Sequence, residues 1–283
     1  VMLEEHAERG GALSVACIEV PLEQASDFGV MSVDADGRIT AFDEKPAHPR
    51  PLPDRPTHAL ASMGIYVFNA DFLAQQLAAD AANPNSSHDF GQDILPAAIG
   101  AHPVYAHRFA SSCVNMVGSE PYWRDVGTID AYWEAHMDLT QVVPDLNLYD
   151  DSWPILSLQP QLPPAKFVFD DEGRRGVAID SLVASGCIVS GATVRRSVLF
   201  AKVRVDEGSL IEQSAVLPYA TVGRRVTLRR AVIDKYCRLP DGFQAGVDPA
   251  ADRARGFHVT ERGITLVVPE MLGQTFRMDG GAA

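Results

Sequence analysis

The chain has 283 residues, of which 46% are hydrophobic, and it carries a formal net charge of −13. A chain of this length can bury a sizeable core, and two domains are favoured over one. The acidic balance argues against a nucleic-acid-binding protein, because contacts with the phosphate backbone need a basic surface. No stretch approaches the roughly eighteen consecutive apolar residues of a membrane span, so we expect no membrane association.

The N-terminal residues and the cysteines predict the compartment. Residues 2–9 resemble the middle of a helix without an N-cap, so we expect the chain to begin inside a domain. No basic segment leads into an apolar one, which argues against a signal peptide. The four cysteines form no C-x-x-C pair, which predicts reduced thiols in a cytoplasmic protein rather than disulfides or a zinc site; they are Cys17, Cys113, Cys187 and Cys237.

The first 145 residues read as one α/β domain, because helices and short buried strands follow each other along the chain. An Asp- and Gly-rich turn at residues 34–38 predicts a hairpin between two alternating strands. The other predicted strands are 12–20, 62–68 and 104–109, and the predicted helices are 70–82, 93–99 and 128–139, the last with Thr128 as N-cap.

A Pro- and Asp-rich segment without periodicity follows, and it is interpreted as an interdomain linker over residues 146–176. From residue 177 to residue 283 a second domain is expected, in which large apolar residues recur every six positions. This period predicts a β-solenoid with glycines at its corners, whereas an antiparallel meander is the alternative. One six-spaced register contains Leu182, Ile188, Val194 and Phe200, and another contains Leu199, Val205, Ile211 and Leu217.

Polar clusters interrupt the strands of the first domain. Lys45 would be a point charge for a substrate phosphate, Glu44 would accept hydrogen bonds from sugar hydroxyls, and Ser62 lies among small residues that let a ligand approach. Each cluster also has a structural interpretation, namely a solvated strand end for Glu44 and Lys45 and a backbone-satisfied hydroxyl for Ser62.

Asp125 is a candidate metal ligand at a strand-to-helix turn. A lone carboxylate suits Mg²⁺, which proteins usually hold with one or two carboxylates plus substrate phosphates and waters. An ion pair with Arg124 or a helix-capping role is the structural alternative.

Two further groups are less specific. His88 and Asp89 are adjacent, and adjacent residues of a strand point to opposite faces, so they do not predict a catalytic pair. Basic residues on or near the solenoid could hold an anionic effector or be ordinary solvated charges; they are Arg195, Arg196, Arg224, Arg225, Arg229, Arg230, Lys235, Arg253 and Arg255.

Taken together, these motifs resemble those of bacterial glucose-1-phosphate adenylyltransferase. The resemblance rests on Ser-Asp-Phe-Gly at 26–29, Phe-Asp-Glu-Lys-Pro at 42–46, Ala-Ser-Met-Gly-Ile-Tyr at 61–66, Ser-Ser-His-Asp-Phe-Gly at 86–91 and Trp-Arg-Asp-Val-Gly-Thr at 123–128. It continues through the solenoid to Val268 and covers nearly the whole chain.

The resemblance implies a partial Rossmann-like nucleotidyltransferase domain followed by a left-handed parallel β-helix. It implies the reaction of ATP with α-D-glucose 1-phosphate to ADP-glucose and diphosphate in glycogen biosynthesis, with Mg²⁺, in a homotetramer controlled by sugar-phosphate effectors and AMP. By the same resemblance, Gly29, Glu44, Lys45 and Ser62 match the glucose 1-phosphate site, and Asp125 matches one of two aspartates that hold Mg²⁺.

The departures from the family pattern set further expectations. The family's glycine-rich nucleotide loop and second metal aspartate have no counterpart in these 283 residues, so we expect this chain to be truncated and inactive alone. Family positions tied to AMP fall at Tyr219 and Lys235, which puts AMP inhibition in question. The alternatives are a non-catalytic regulatory subunit, another nucleotide-sugar pyrophosphorylase, and a hexapeptide acyltransferase, which usually needs a solenoid histidine that residues 177–247 do not contain.

Overall fold

The computed structural model describes residues 1–114 and 121–275. It divides into two compact units, Val1–Val114 and Asn115–Ala283, and each is described by itself. Within the described ranges, every helix falls short of the length and apolar character that crossing a membrane requires.

The first unit is a five-stranded sheet with helices. Strand β1 is buried along most of its length, as the apolar run at 12–20 predicts. The elements are α1 (Met2–Arg9), β1 (Leu13–Pro21), α2 (Leu22–Ala25), β2 (Gly29–Val33), β3 (Ile39–Glu44), β4 (His58–Phe68), α3 (Ala70–Ala81), a π-helical turn (Phe90–Ile94), α4 (Leu95–Ala101), β5 (Val104–Arg108) and a 3₁₀ turn (Phe109–Ser111).

The order of strands in this sheet is β3-β2-β4-β1-β5. Only β1 and β5 pair in parallel; the other neighbours are antiparallel. The predicted hairpin is confirmed as β2 and β3, and Gly37 in their turn has φ 77°. The core centres on Leu13, Val15, Leu60 and Leu95.

Sequence and structure differ at β4. It begins at His58, four residues before the predicted start, because residues 58–61 pair with the end of β1. Its burial also changes along its length, since Ala59–Met63 are buried but Gly64 and Ile65 are exposed beside a bulge in the β1 pairing. The candidate Ser62 therefore lies where β4 leaves the core.

The second unit is a parallel β-helix with one helix, α5 (Ile129–Asp138), in front of it in the chain. Successive strands enter three different sheets in turn, and every third strand stacks in parallel on its predecessor. This parallel stacking excludes the antiparallel meander. The strands are β6 (Lys166–Val168), β7 (Asp170–Asp171), β8 (Arg174–Arg175), β9 (Val177–Ile179), β10 (Leu182–Val183), β11 (Ile188–Ser190), β12 (Thr193–Arg195), β13 (Val198–Leu199), β14 (Arg204–Val205), β15 (Leu210–Glu212), β16 (Ala215–Val216), β17 (Thr221–Val222), β18 (Thr227–Arg229), β19 (Ala231–Ile233), β20 (Arg238–Leu239) and β21 (Gln244–Ala245).

The C-terminal end of this β-helix is formed by α6 (Pro249–Ala254), β22 (His258–Val259), β23 (Thr265–Val267) and a 3₁₀ turn (Pro269–Leu272). The carboxylate of Asp252 is buried there and accepts hydrogen bonds from Gly246 N at 2.6 Å and Thr265 Oγ1 at 2.9 Å. These bonds offset the cost of burying its charge.

The six-residue period is only partly kept. Val205, Val222 and Leu239 stack on one another at 17-residue intervals, one short of three hexapeptides. The register therefore slips from coil to coil, and each predicted register is only partly buried. The fully buried members are Val194, Leu199, Val205 and Ile211, and the half-buried members are Leu182, Ile188, Phe200 and Leu217.

Two elements bear on the predicted domain boundaries at 145 and 177, which stay predictions. Strand β6 lies inside the predicted linker and pairs in parallel with β11. Helix α5 packs within the second unit through Trp133, whose side chain contacts Val232 and Ile264 and donates a hydrogen bond to Gln213 O at 2.7 Å. Both elements thus belong to the second unit by their contacts, whereas the sequence pattern places β6 in the linker and α5 in the first domain.

Candidate functional site

Glu44 and Lys45 lie at the end of β3. Lys45 leaves the strand with φ 45°, a left-handed conformation that ends the extended backbone, and its side chain is exposed. The pKa of Glu44 is raised, first because burial disfavours its charged form and second because Asp89 is close; the ammonium of Lys45 opposes the shift. A carboxylate and an ammonium are thus side by side at a strand end.

A second carboxylate, that of Asp89, approaches Glu44 at Gly91. A Cβ on Gly91 would lie 2.6 Å from Glu44 Oε2 and 3.2 Å from Asp89 Oδ1, so both carboxylates approach the same side of this glycine. Asp89 Oδ1 is held by the backbone, since it accepts hydrogen bonds from Gly91 N at 2.8 Å and Gln92 N at 2.9 Å. Such a pair of acceptors suits a ligand with several hydroxyl groups.

Gly29 lies at the start of β2, opposite Glu44 in the β2–β3 pairing. A Cβ there would lie 2.3 Å from the ring of Phe42 and 2.8 Å from Glu44 Oε2. The small residue therefore makes room for these two side chains, a role that the sequence pattern does not reveal.

Ser62 is 9% exposed, and its hydroxyl bonds to an aromatic residue that lies near Glu44 and Asp89. Its hydroxyl accepts a hydrogen bond from Gly64 N at 3.3 Å and also bonds to Tyr66. The pKa of Tyr66 is raised, chiefly by burial, while the hydrogen bond with Ser62 opposes the shift. The ring of Tyr66 stacks on Phe90, with centroids 5.7 Å apart and planes 17° apart.

In the first unit, Gly29 and Lys45 lie beside Glu44, and Ser62 is linked to this group only through Tyr66, which bonds to Ser62 and feels the charges of Glu44 and Asp89. Their roles at a glucose 1-phosphate site stay predictions. Sequence reasoning assigned no role to three neighbours, namely Tyr66, Asp89 and Phe90. The available signal was the Asp-Phe-Gly string at 89–91, in which an aspartate caps the following turn.

Asp125 belongs to the second unit. Its carboxylate is exposed, and Oδ1 accepts a hydrogen bond from Gly127 N at 3.2 Å. Both structural alternatives lose support here: Arg124 pairs with Asp138 at 2.8 Å, and the N-cap of α5 is Thr128, which accepts from Ala131 N as predicted. Among residues 1–114 and 121–275, the one hydrogen bond of the Asp125 carboxylate is that from Gly127 N.

The donor chemistry of Asp125 fits Mg²⁺ as one carboxylate ligand. Within residues 1–114 and 121–275, no three His, Cys, Asp or Glu side chains form a group that could hold a metal. A Mg²⁺ ion at Asp125 would therefore need further oxygens, such as those of substrate phosphates and waters.

The basic residues of the β-helix partly pair within the unit. Arg229 pairs with Glu212 at 3.4 Å, and Arg230 lies 4.9 Å from the ring centroid of Trp133. Tyr219 stacks on Tyr236, with ring centroids 5.0 Å apart. The anionic effector predicted for this region stays a prediction.

Comparison with protein families identifies both halves of the chain. Residues 1–142 match the nucleotidyl transferase family model, and residues 163–267 match the model of the GlmU-like C-terminal hexapeptide. Together with the sheet topology, these matches confirm the predicted fold class, an α/β nucleotidyltransferase domain followed by a left-handed parallel β-helix.

Curated relatives match nearly the whole chain. Proteins named glucose-1-phosphate adenylyltransferase from Nitrosospira multiformis, Methylobacillus flagellatus and Nitrosomonas europaea are 59%, 61% and 57% identical to it over 273, 273 and 274 residues. The alignments cover 96% of this chain but only 63–64% of each relative. The chain thus spans less than two thirds of the length of these relatives, and the resemblance found from its motifs is confirmed.

Proposed function

The chain belongs to the nucleotidyl transferase family, and we propose that it supplies the glucose 1-phosphate side of a glucose-1-phosphate adenylyltransferase. This enzyme joins ATP and α-D-glucose 1-phosphate to give ADP-glucose and diphosphate, a reaction of glycogen biosynthesis. The identity of 57–61% to relatives of that name supports the proposal and does not favour a regulatory subunit or another pyrophosphorylase.

The observation that carries the proposal is the approach of Glu44 and Asp89 to each other at Gly91, with the charge of Lys45 beside Glu44. Lys45 is the exposed cation of the group, and an ammonium binds a phosphate as a point charge. Glu44 and Asp89 offer carboxylate oxygens to sugar hydroxyls. The stacked rings of Tyr66 and Phe90 form an apolar surface beside them, against which the C–H side of a sugar ring can pack.

In the proposed reaction, a phosphate oxygen of glucose 1-phosphate attacks the α-phosphorus of ATP in line, and diphosphate leaves with the electrons of the broken bond. Lys45 holds the attacking phosphate, and the carboxylates fix the sugar so that the oxygen points at the phosphorus. Mg²⁺, with Asp125 as one ligand, would neutralise charge on the phosphates. No covalent enzyme intermediate is required.

Several finer points are proposals that rest on the family alone. They are the Mg²⁺ cofactor, regulation by sugar-phosphate effectors, a homotetrameric assembly and a cytoplasmic location. ATP is proposed as the nucleotide, although the glycine-rich loop that the family uses for it is not among these residues.

The proposal is tested by isothermal titration of the 283-residue chain with glucose 1-phosphate. We expect saturable binding, with glucose and inorganic phosphate each binding much more weakly, because each meets only part of the site. The Lys45→Ala variant should bind about tenfold to a hundredfold more weakly, since a hydrogen bond to a charged group contributes roughly 1.5–3 kcal/mol.

Lys166→Ala is the matched control, because Lys166 is an exposed lysine of the second unit. Its affinity should equal that of the original chain. An original chain that fails to bind glucose 1-phosphate, or a Lys45→Ala variant that binds normally, would contradict the assignment.

A further inference from the structure

The loop that connects α3 to the π-helical turn is held from both sides by carboxylates. It contains Ser86, Ser87, His88 and Asp89, and Asp89 is the member of this loop whose carboxylate approaches Glu44 at Gly91. Asp80, near the end of α3, holds the first part of the loop, and Asp93, within the π-helical turn, holds the last part.

Asp80 binds two side chains of the loop. Its Oδ2 lies 2.8 Å from His88 Nδ1, and its Oδ1 accepts a hydrogen bond from Ser86 Oγ at 2.5 Å. The hydroxyl of Ser86 in turn accepts from His88 N at 2.9 Å, which closes a small network. The pKa of Asp80 is lowered, first by Ser86 and then by His88, so this carboxylate is ionised at neutral pH and the proton between the two side chains belongs to His88 Nδ1.

Asp93 fixes the backbone next to Asp89. Its Oδ2 accepts from Ser87 Oγ at 2.6 Å and from Asp89 N at 3.0 Å. The pKa of Asp93 is lowered, chiefly because Ser87 donates to it. Asp89 is thus held at its own amide by Asp93, while its carboxylate caps Gly91 and Gln92.

His88 adopts φ 59°, in the left-handed region that non-glycine residues rarely occupy. Such a conformation persists where surrounding contacts impose it. Here these contacts are the Asp80–His88 pair and the bond from His88 N to the Ser86 hydroxyl. Because the chain changes direction at His88, His88 can contact Asp80 while the next residue, Asp89, lies beside Glu44.

We propose that Asp80 and His88 are positioning residues for the sugar-binding carboxylate of Asp89. The Asp80–His88 pair holds the left-handed turn, and the turn sets the direction in which Asp89 faces Glu44. This inference rests on the proposed function, because it assigns Asp89 to the same glucose 1-phosphate site. Neither positioning residue needs to touch the sugar.

Three variants of His88 distinguish the effect of the Asp80–His88 hydrogen bond from the effect of the left-handed backbone conformation at position 88. Asparagine tolerates the left-handed region, and its amide can donate to Asp80; glycine tolerates the region but cannot donate; alanine does neither. We expect His88→Asn to bind glucose 1-phosphate within about threefold of the original chain, and both His88→Gly and His88→Ala to bind about tenfold more weakly, because a charge-assisted hydrogen bond is lost. Binding by His88→Gly equal to that of the original chain would overturn the proposal.

A second measurement does not depend on the sugar. Hydrogen exchange of the Gly91 and Gln92 amides reports whether Asp89 still caps them. Exchange should accelerate in His88→Gly and in Asp80→Asn, which loses one acceptor oxygen. The matched control is Asp71→Asn, an exposed aspartate in the first turn of the same helix, whose exchange and binding should not change.

The two experiments separate the possible failures. An original chain that does not bind glucose 1-phosphate contradicts the proposed function, while the exchange rates still test the role of the pair. Unchanged exchange in both His88→Gly and Asp80→Asn refutes the positioning role whatever the sugar does.

Discussion

Gly91 lies against the carboxylate of Glu44, so closely that a Cβ at position 91 would come within 2.6 Å of Glu44 Oε2. The atom it would meet is the far end of a flexible side chain. Glu44 can therefore move aside, but its carboxylate then leaves the position that it shares with Asp89. A methyl group at Gly91 is thus expected to disturb binding more than folding.

Gly91→Ala should weaken glucose 1-phosphate binding by about tenfold, the loss expected for one displaced charged acceptor. Its melting temperature should stay the same or rise, because alanine lowers the entropy of the unfolded chain. Gly100→Ala in α4 is the control, since a Cβ there meets no atom within 4 Å. Titration and thermal unfolding of both variants check this, and equal affinities in the two would be evidence against the shared acidic site.

Glu44→Gln should stabilise the protein at neutral pH while weakening sugar binding. Because the folded-state pKa of Glu44 is raised above its unfolded value, mainly by burial, stability falls as the pH rises from the unfolded pKa to the folded one, and the full cost remains above it. Glutamine removes this cost. The advantage should therefore be full near pH 7 and should vanish below the ordinary glutamate pKa of about 4.3, where Glu44 is protonated in both states.

Melting temperatures of the two proteins between pH 4 and pH 8 measure this effect. Glu23→Gln, which changes an exposed glutamate of α2, is the control and should leave the melting temperature within about 1–2 °C at every pH. A constant difference between Glu44→Gln and the original chain across the pH range would rule out the stated cause.

Asp125→Asn should chiefly lower turnover. The measurement needs a complete enzyme, so we suggest a chimera that joins this chain to the parts of the Methylobacillus flagellatus relative outside the matched region. In that chimera, kcat for Mg²⁺-dependent diphosphate release should fall by about 10²-fold or more, since electrostatic groups of this kind contribute roughly 3–4 kcal/mol.

The melting temperature should barely move in Asp125→Asn, because Asp125 is exposed and asparagine can still accept the bond from Gly127 N. Asp151→Asn, at another exposed aspartate of the second unit, should retain full kcat. A near-normal kcat for Asp125→Asn would remove this residue from the site.

Gly246 and Gly242 offer a matched test of the β-helix. Both have φ 73°, but a Cβ on Gly246 would lie 1.6 Å from Arg229 O, whereas nothing lies within 4 Å of one on Gly242. Gly242→Ala should cost only the strain of the left-handed conformation, about 1–2 kcal/mol. Gly246→Ala should cost much more, because backbone must shift. Urea unfolding followed by circular dichroism gives the midpoint of each variant. Similar midpoints would show that the approach of Arg229 O to position 246 does not affect stability.

Local pattern in the sequence predicted most elements of the first unit. The apolar run at 12–20, the Asp-Gly turn at 34–38 and the alanine-rich segment at 70–82 each carry their own signal, because burial, positive φ and helix propensity act on neighbouring residues. The same holds for Thr128, whose capping bond spans three residues.

The sequence also predicted that the second domain is a solenoid, since stacked coils need apolar residues at repeated positions. What it could not determine was the length of each coil. A 17-residue repeat resembles three hexapeptides until the strands are stacked, and only the pairing of Val205 with Val222 decides which side chains point inward.

Only the tertiary structure brings the carboxylates of Glu44 and Asp89, the acidic pair, close together. Glu44 and Asp89 are 45 positions apart in the sequence, and nothing in the pattern of either segment states that β3 and the π-helical turn meet. The contact arises because Gly29 and Gly91 leave space on either side of the Glu44 carboxylate, a consequence of packing that involves three separate segments. Residue types at Glu44, Lys45 and Ser62 indicated the chemistry from the sequence, whereas the partnership with Asp89, and its support by Asp80 and His88, exists only once the chain is folded.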